Sequence, residues 1–315
     1  MEPCELSQSS PFPNLFTIRV QTILYMTESS WVERSLEYLD AAARNAKHWG
    51  LIKSVQVSYG DCSPNPVFDA EALRQLCRRF PNLEEIDYDF FGANLGHAGG
   101  HNRLLAGSDS DLTVILNPDG LVFPNLFREF LSALGRPAVG LVEARQIPIE
   151  HAKDYDRETG ETSWASGACA IVPTRIFKKL QGFDAENFFL YCDDVDFSWR
   201  VRLAGYKVIH QCSAAVFHDK RLDHEGKWLA SEAEKYYSAE AALLLAYKYS
   251  RSDLTERYLH EFRESGSEPH IRAAGAIELR RKTGRMPLPI DPDHAIGQFI
   301  DGAYARHRFV SRVAS

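Results

Sequence analysis

The hydrophobic and polar positions follow two different periods in the first half of the chain. Short runs of apolar and β-branched residues predict strands over 16–25, 51–59, 83–90 and 112–116. Apolar positions at helical spacing predict helices over 31–48 and 69–79, the first with Ser29 or Ser30 as its N-cap. Strands that alternate with helices indicate an α/β fold with a mostly parallel central sheet, covered by helices on both faces.

The pattern changes beyond about residue 222, where helical periodicity replaces the strands. Helices are expected over 228–248, 253–264 and 273–282. The proline-rich stretch 287–292 predicts a turn-rich linker to a last short helix. We therefore divide the chain into an α/β unit over 14–221 and a helical C-terminal extension over 222–315.

Composition narrows the classes of protein that this fold could represent. The 315 residues carry 43 acidic and 36 basic side chains, for a net charge of −7, which argues against a broad nucleic-acid-binding surface. No run approaches the roughly 18 apolar residues that a membrane-spanning helix needs. The residues after Met1 lack the basic-then-apolar order of a signal peptide. Six scattered cysteines without a C-x-x-C pair indicate free thiols, which we interpret as a cytoplasmic location.

Two polar segments follow predicted strands, at the edge of the sheet where α/β proteins bind ligands. The glycine-rich segment Asn94–Asn102 reads NLGHAGGHN, which suits either a close approach of backbone to a ligand or a tight turn. It lacks the G-x-G-x-x-G pattern of dinucleotide sites. The segment Asn117-Pro118-Asp119 offers a carboxylate for a divalent ion, or forms a β-turn.

A third segment places Asp193, Asp194 and Asp196 within four residues of one another. Such a density of carboxylates favours a general base with a tuned pKa over simple helix capping, although Asp also caps helices. Trp164 lies just before small residues and suits either a sugar-stacking face or a core anchor. His218 ends a predicted strand and is either a metal ligand or a structural histidine.

Taken in order, these motifs resemble the family 2 glycosyltransferases, in particular their rhamnosyltransferase-like branch. The family pattern comprises N-x-G-x-A-G-G-x-N, N-P-D, W-x-S-G-A, a G-F-D…E-D-V-D segment that ends in G-Y, and a terminal histidine. This chain has NLGHAGGHN at 94–102, NPD at 117–119, WASGA at 164–168, GFDAENFFLYCDDVDFSWRVRLAGY at 182–206 and His218. The resemblance covers roughly residues 17 to 220.

The resemblance implies a GT-A fold that binds a nucleotide-diphosphate sugar, UDP- or dTDP-linked, at the carboxyl edge of its strands. It implies donor contacts in the first two strand-end loops, in the glycine-rich segment and in the N-P-D element, from Thr27, Asp61, Gly96, Gly100, Asn102, Asn117 and Asp119. It also implies a divalent cofactor, Mn²⁺ or Mg²⁺, bound by Asp119 and His218. Asn117 stands where relatives carry the first Asp of D-x-D.

The resemblance further implies an inverting transfer to a hydroxyl of a glycan or glycolipid-type acceptor. Asp194 matches the expected catalytic base, and Asp193, which replaces the usual Glu, is the second candidate. Trp164 and Asp193 would face the acceptor. Since Asp119, Asp193, Asp194 and Asp196 would repel a diphosphate, the charges also call for a cation.

Several alternatives stay open on the sequence alone. The fold would equally suit a non-catalytic protein that binds a nucleotide-sugar or glycan, and a sugar-phosphate nucleotidyltransferase has a related core. The extension either shapes the acceptor site or forms a homodimer interface. A cytoplasmic enzyme without a transmembrane segment is also compatible with peripheral contact at the inner face of the membrane.

Overall fold

A computed structural model describes residues 15–151, 153–218 and 230–305. Its elements, in chain order, are β1 (Phe16–Leu24), α1 (Ser29–His48), β2 (Ile52–Asp61), α2 (Ala70–Arg79), β3 (Glu85–Phe90), α3 (Gly96–Ala106), β4 (Leu112–Leu116), β5 (Gly120–Val122), α4 (Leu126–Leu134), β6 (Val139–Ile147), β7 (Cys169–Pro173), α5 (Thr174–Lys179), α6 (Asp193–Leu203), β8 (Lys207–His218), α7 (Glu232–Lys248), α8 (Ser252–Glu264) and α9 (Glu268–Lys282).

One mixed sheet of eight strands forms the centre of the described chain, in the order β3-β2-β1-β4-β7-β6-β8-β5. The strands from the first half, β3, β2, β1 and β4, are parallel to one another. In the second half β7 runs antiparallel to both neighbours, and β5 is antiparallel to β8. The predicted parallel α/β sheet is thus confirmed, and antiparallel strands extend it.

Helices cover both faces of the sheet, because successive side chains of each strand point to opposite sides. On β4, Val114 packs into a core formed with α1, α2 and α4. The next residue, Ile115, packs into a second core formed with α3, α5 and α6. The carboxyl ends of the parallel strands lie at one edge of the sheet, where α/β proteins bind ligands.

The three C-terminal helices pack on α6 rather than on the sheet. Their apolar side chains form a third core with Trp199 and Val195 of α6. Within this core the rings of Trp199 and Tyr249 meet edge to face, with centroids 4.6 Å apart. The helical extension therefore supports the helix that carries the aspartate cluster. Its status as a separate domain stays a prediction.

The structure corrects two local predictions. Helix α1 begins at Ser29 with Glu28 at the N-cap position and without a side-chain cap, so neither Ser29 nor Ser30 is the N-cap. Residues 291–305 form turns and a short bridge, so the predicted last short helix does not lie in this range, and residues 306–315 lie outside the described ones. There Asp291 accepts hydrogen bonds from three backbone N–H groups, of Ala295, Ile296 and Gly297, and holds the chain in a turn.

Two further expectations concern the ends and borders of the chain. The leader over the first residues and the proposed border at 221/222 lie outside the described residues.

Five cysteines lie within the described ranges, and all five are free thiols, as predicted. Over these same ranges, no helix is long and apolar enough to cross a membrane.

Candidate active site

The predicted nucleoside contacts lie at the ends of two neighbouring strands. Leu24 and Asp61 are register partners in β1 and β2, which brings Thr27 and Asp61 to the same edge of the sheet. The Asp61 carboxylate is fully buried and accepts hydrogen bonds from the backbone N–H groups of Ser63 and Val67, at 2.8 and 2.9 Å. It also accepts one from the Tyr88 hydroxyl. Asp61 therefore shapes the loop after β2, and its contact with a nucleoside stays a prediction.

The glycine-rich segment forms the first turns of α3, where its predicted donor residues have packing partners inside the protein. Gly96 has a φ of +70°, and a Cβ there would collide with the backbone oxygen of Phe189. At Gly100 a Cβ would lie 2.8 Å from the Ile23 side chain. Asn102 binds the backbone of Phe183 through both its amide oxygen and its amide nitrogen, at 2.8 and 2.7 Å. These residues press α3 against β1 and against the segment before α6, and their donor contacts stay predictions.

The two predicted metal ligands lie together at the end of β4 and β8. His218 Nε2 is 3.3 Å from Asp119 Oδ1 and 3.3 Å from Asn117 Nδ2. The other ring nitrogen, His218 Nδ1, is 2.9 Å from Oε1 of the buried Gln146. The Asp119 side chain is 37% exposed and that of His218 only 13%. An exposed carboxylate thus faces an imidazole that is held in place from behind.

This arrangement fits a divalent cation. If His218 donates its Nδ1 hydrogen to Gln146, its Nε2 carries a lone pair that faces the Asp119 carboxylate. In that tautomer Nε2 either accepts a hydrogen bond from Asn117 Nδ2 or joins Asp119 Oδ1 in binding a cation. Across residues 15–151, 153–218 and 230–305, no group of three His, Cys, Asp or Glu side chains forms a complete metal site. Donor phosphates and water would have to complete the coordination.

The aspartate cluster opens α6 after an unusual turn. Tyr191 and Cys192 both adopt the left-handed backbone region, with φ of 67° and 55°, which non-glycine residues rarely do. Asp193 is 3% exposed, and its carboxylate lies 2.5 Å from Nδ1 of His97 on α3. Asp194 is half-buried and accepts hydrogen bonds from the backbone N–H groups of Val195 and Gly167, at 2.8 and 2.9 Å. The turn therefore gives the two adjacent carboxylates separate partners.

The third aspartate of the cluster has a structural role. Asp196 is fully buried, with Lys248 Nζ of α7 at 2.6 Å and Arg200 Nε at 2.8 Å. The Tyr249 hydroxyl donates to its backbone oxygen at 3.0 Å. Since two cations already neutralise Asp196, it has to be removed from the set of carboxylates that were expected to repel the donor. It joins α6 to the C-terminal helices instead.

The W-x-S-G-A segment links the N-P-D segment to the aspartate cluster of α6. Gly167 donates its backbone N–H to Asp194, and the next residue, Ala168, accepts a hydrogen bond from the backbone N–H of Asn117 at 2.9 Å. Ser198 of α6 accepts from the Ala165 N–H at 2.9 Å and fixes the other end of the segment. Two consecutive residues thus join the N-P-D segment to the candidate base.

Trp164 does not offer a face to a sugar. Its ring is 3% exposed and packs in the core that the C-terminal helices share with α6. Lys153 Nζ lies 3.7 Å from the ring centroid and donates to the Trp164 backbone oxygen at 3.1 Å. The structure favours the core-anchor alternative, because the aromatic surface is already covered by a cation and by apolar side chains.

A buried ionic network under this segment was not visible in the sequence. Glu143 on β6 accepts hydrogen bonds from Lys153 Nζ at 2.7 Å and from the Ser166 N–H at 2.5 Å, and His210 Nδ1 lies 2.8 Å from it. Burial would raise the pKa of Glu143, but Lys153 and His210 outweigh burial and lower it. The carboxylate therefore stays ionised and holds the W-x-S-G-A segment from below.

Two other residues at the site were missed, His97 and Gln146. His97 is an unassigned position of the glycine-rich motif, and its partner Asp193 is 96 residues away. Gln146 is 72 residues from His218. A single sequence carries no signal for pairs at such separations, since only the fold brings the strands and helices together.

Comparisons with known proteins agree with this fold. The first sequence relative is an N-acetylglucosaminyl-diphospho-decaprenol L-rhamnosyltransferase of Mycobacterium tuberculosis, 29% identical, with coverage of 45% of this chain and 61% of the relative. Rhamnosyltransferase WbbL of Escherichia coli is 21% identical, over 57% of this chain and 80% of its own length. The chain thus spans about three-fifths of the length of the first relative. No protein-family model matches the sequence.

Solved glycosyltransferases share the architecture. A mannosyltransferase from Pyrobaculum calidifontis, in complex with GDP-Man and Mn²⁺, superposes with a TM-score of 0.55 at 16% identity, over 87% of this chain and 84% of that one. GalNAc-T7 with UDP, GalNAc and Mn²⁺ superposes with a TM-score of 0.61 at 11% identity, over 88% of this chain and 56% of that one.

The chain has the GT-A fold of glycosyltransferases. Its sequence relatives confirm the predicted resemblance to the rhamnosyltransferase-like branch of family 2.

Proposed function

We propose that the protein is an inverting glycosyltransferase, which moves a sugar from a nucleotide-diphosphate donor to a hydroxyl group of an acceptor. The link between Asp194, the Gly167–Ala168 turn and Asn117 carries this proposal. A base and a cation-binding carboxylate on adjoining segments are what a single displacement at a sugar carbon requires, since one accepts a proton and the other faces the leaving group.

In the proposed reaction, the Asp194 carboxylate accepts the proton of the acceptor hydroxyl. The hydroxyl oxygen forms a bond to the anomeric carbon while the bond from that carbon to the diphosphate breaks, and the diphosphate departs with the electron pair. Attack opposite to the leaving group inverts the configuration. A divalent cation held by Asp119 and His218 would neutralise the charge that grows on the diphosphate.

The donor and acceptor classes are inferred from the relatives. Names that specify rhamnosyl and other hexosyl transfer favour a UDP-, dTDP- or GDP-linked hexose as the donor. The relative that acts on a decaprenol-linked substrate favours a glycolipid acceptor, which would place the enzyme at the inner face of the membrane. In this proposal the half-buried Asp194 would meet the hydroxyl of that acceptor.

A donor screen tests the proposal. The purified full chain is incubated with UDP-, dTDP- and GDP-hexoses, with Mn²⁺, with Mg²⁺ or with a chelator, and nucleotide diphosphate release and thermal stabilisation are measured. We expect one donor to stabilise the protein only when metal is present, and to be hydrolysed slowly or transferred.

Each outcome of this screen has a distinct meaning. Donor binding without any turnover, even with a polyprenyl-diphosphate glycan as acceptor, would replace the transferase by a nucleotide-sugar-binding protein. Donor affinity that a chelator leaves unchanged would refute the cation at Asp119 and His218. Release of pyrophosphate from a nucleoside triphosphate and a sugar phosphate would point to a nucleotidyltransferase.

A further inference from the structure

His97 forms the shortest contact that the described residues make with the aspartate cluster at the start of α6. Its Nδ1 lies 2.5 Å from Asp193 Oδ2, and the two side chains are 16% and 4% exposed. A pair this short and this well covered from water interacts far more strongly than an exposed ion pair. It also joins α3 to α6, the two helices that flank the proposed reaction centre.

The surroundings of His97 favour its charged form. The charged and titratable groups that face it are Asp193 and Asp194 on α6 and His101 on its own helix. Phe183 covers another side of the ring, with centroids 5.5 Å apart. Burial alone would lower the pKa of His97, but the two carboxylates outweigh burial and raise it.

The neighbouring His101 shows the opposite behaviour. Its ring lies 4.5 Å from that of His97, but its Nδ1 meets the neutral amide oxygen of Gln21 at 3.2 Å rather than a carboxylate. Burial and the nearby His97 hold the pKa of His101 well below its usual value. The same helix therefore presents one imidazole whose surroundings favour the charged form and one whose surroundings favour the neutral form.

The two neighbouring aspartates contact different groups. Asp193 meets the His97 imidazole, whereas Asp194 accepts hydrogen bonds from the backbone N–H groups of Val195 and Gly167. A Cβ at Gly167 would lie 3.2 Å from His97 Cε1 and 3.5 Å from Asp194 Cβ, so the imidazole edge lies directly beneath this turn. His97 can therefore neutralise Asp193 and still affect the charge at Asp194.

We propose that His97 is a positioning residue for the proposed transfer: its imidazolium holds and neutralises Asp193, and Asp194 is thereby the carboxylate that accepts the acceptor proton. The inference rests on the proposed function. Neither the histidine nor its pairing is part of the family pattern, in which position 97 is unassigned and position 193 is Glu. The shorter Asp193 and the histidine across from it form a unit in this chain.

The first test needs no substrate. The C2–H resonance of His97 is followed by NMR from pH 5 to 10 in the unliganded wild type, in Asp193→Asn and in Asp194→Asn. We expect His97 to titrate above the usual range of histidine, to return most of the way towards it in Asp193→Asn and to move less in Asp194→Asn. A wild-type His97 that titrates at or below the usual range would overturn the proposal.

The second test uses the pH profile of kcat/KM, which a purely structural role would not move. In His97→Gln the acidic limb should shift to higher pH, because Asp194 loses a nearby positive charge, and the alkaline limb due to imidazolium loss should disappear. His101→Gln, one helical turn away, should keep both limbs in place. Identical profiles in wild type and His97→Gln would contradict the proposal.

A double variant separates charge from packing. His97→Gln leaves the Asp193 carboxylate without its cation, and this charge should repel the diphosphate donor and raise its KM. Adding Asp193→Asn removes that carboxylate, so the donor KM should fall again, by about threefold or more relative to His97→Gln alone. No recovery would count against neutralisation as the role of His97. If the wild type shows the NMR titration but transfers no sugar, the proposed function fails while the pairing stands. If the wild type transfers sugar but His97 does not show that titration, the proposal for His97 fails while the proposed function stands.

Discussion

Two groups of carboxylates lie on either side of the Gly167–Ala168 turn, and they are neutralised in different ways. The α6 cluster has its cations within the protein: His97 for Asp193, and Lys248 and Arg200 for Asp196. Within the described part of the chain, Asp119 has no lysine or arginine at ion-pair distance, and only His218 faces it.

The difference indicates a division of labour between the two groups. Internal cations hold Asp193 and Asp196 in fixed positions on α6, on either side of Asp194. Among the described residues Asp119 faces His218 and no lysine or arginine, and its side chain is 37% exposed. A cation at Asp119 and a base at Asp194 therefore stay the proposal that the variants below test.

The largest effect should come from removing the base. Asp194→Asn keeps the shape and the hydrogen bond from the Gly167 N–H but cannot take a proton at neutral pH. We expect kcat to fall about 10²- to 10⁴-fold, the range for loss of a general base, with donor affinity little changed. Single-turnover kinetics with the donor found above would measure it. Asp253→Asn on the surface of α8 is the control, and an unchanged kcat in Asp194→Asn would reject it as the base.

The outcome for these aspartates shows how far the sequence could predict the site. The order of strands and helices and the motifs follow from local patterns, and the structure confirms the α/β core. The family resemblance ranks Asp194 before Asp193 as the base but does not predict their partners: Asp193 is paired with His97, Asp194 contacts the Gly167–Ala168 turn and Asp196 is bound to Lys248. Their partners come from distant elements, so no local pattern could distinguish them.

Trp164 also shows that residues distant in sequence decide the role of a motif residue. Its place before small residues fitted both a sugar-stacking face and a core anchor. The choice depended on Lys153 and on the C-terminal helices, which pack over the ring. Burial is decided by what covers a residue, and here most of that cover comes from beyond the motif.

The next largest effect tests the internal cations of the α6 cluster. Lys248→Ala removes the ammonium group that lies 2.6 Å from Asp196 and 2.7 Å from Asp184. Each carboxylate thereby loses a positively charged partner, and Asp196 keeps Arg200. We expect a loss of about 3 kcal/mol in the free energy of unfolding, as for other broken buried pairs. Urea unfolding measures it.

A matched control for this variant lies on the same helix. Lys235 pairs with Glu232 at 2.6 Å, but the two side chains are 44% and 71% exposed. Lys235→Ala should change stability by no more than about 0.5 kcal/mol, because exposed pairs contribute little. If Lys248→Ala were as mild as Lys235→Ala, the buried network would not be what neutralises Asp196.

A smaller effect is expected from changing Gln146, which contacts the His218 ring nitrogen that does not face Asp119. Gln146→Leu removes the acceptor that orients His218 and leaves Asp119 and His218 in place. Loss of such an orienting partner should weaken Mn²⁺ affinity about 10- to 100-fold. Calorimetric titration of Mn²⁺ in the presence of nucleotide diphosphate measures it. Gln211→Leu, on β8 but bonded to Ser213, should leave the affinity unchanged. Equal Mn²⁺ affinities of Gln146→Leu and Gln211→Leu would contradict the role of His218 as a metal ligand.

The smallest effect is a change in the pH dependence of stability. Because Asp193 and Asp194 outweigh burial and raise the folded-state pKa of His97, its stabilisation is fully present below the unfolded pKa of about 6.5 and is lost as pH rises through the folded pKa. His101 has the opposite sign, since its lowered pKa removes stability as pH falls below about 6.5. Asp193→Asn should abolish the decline above neutral pH and leave the acidic decline. Urea unfolding of wild type and variant between pH 5 and 9 tests this, and parallel curves above pH 7 would show that the α6 cluster does not depend on an imidazolium.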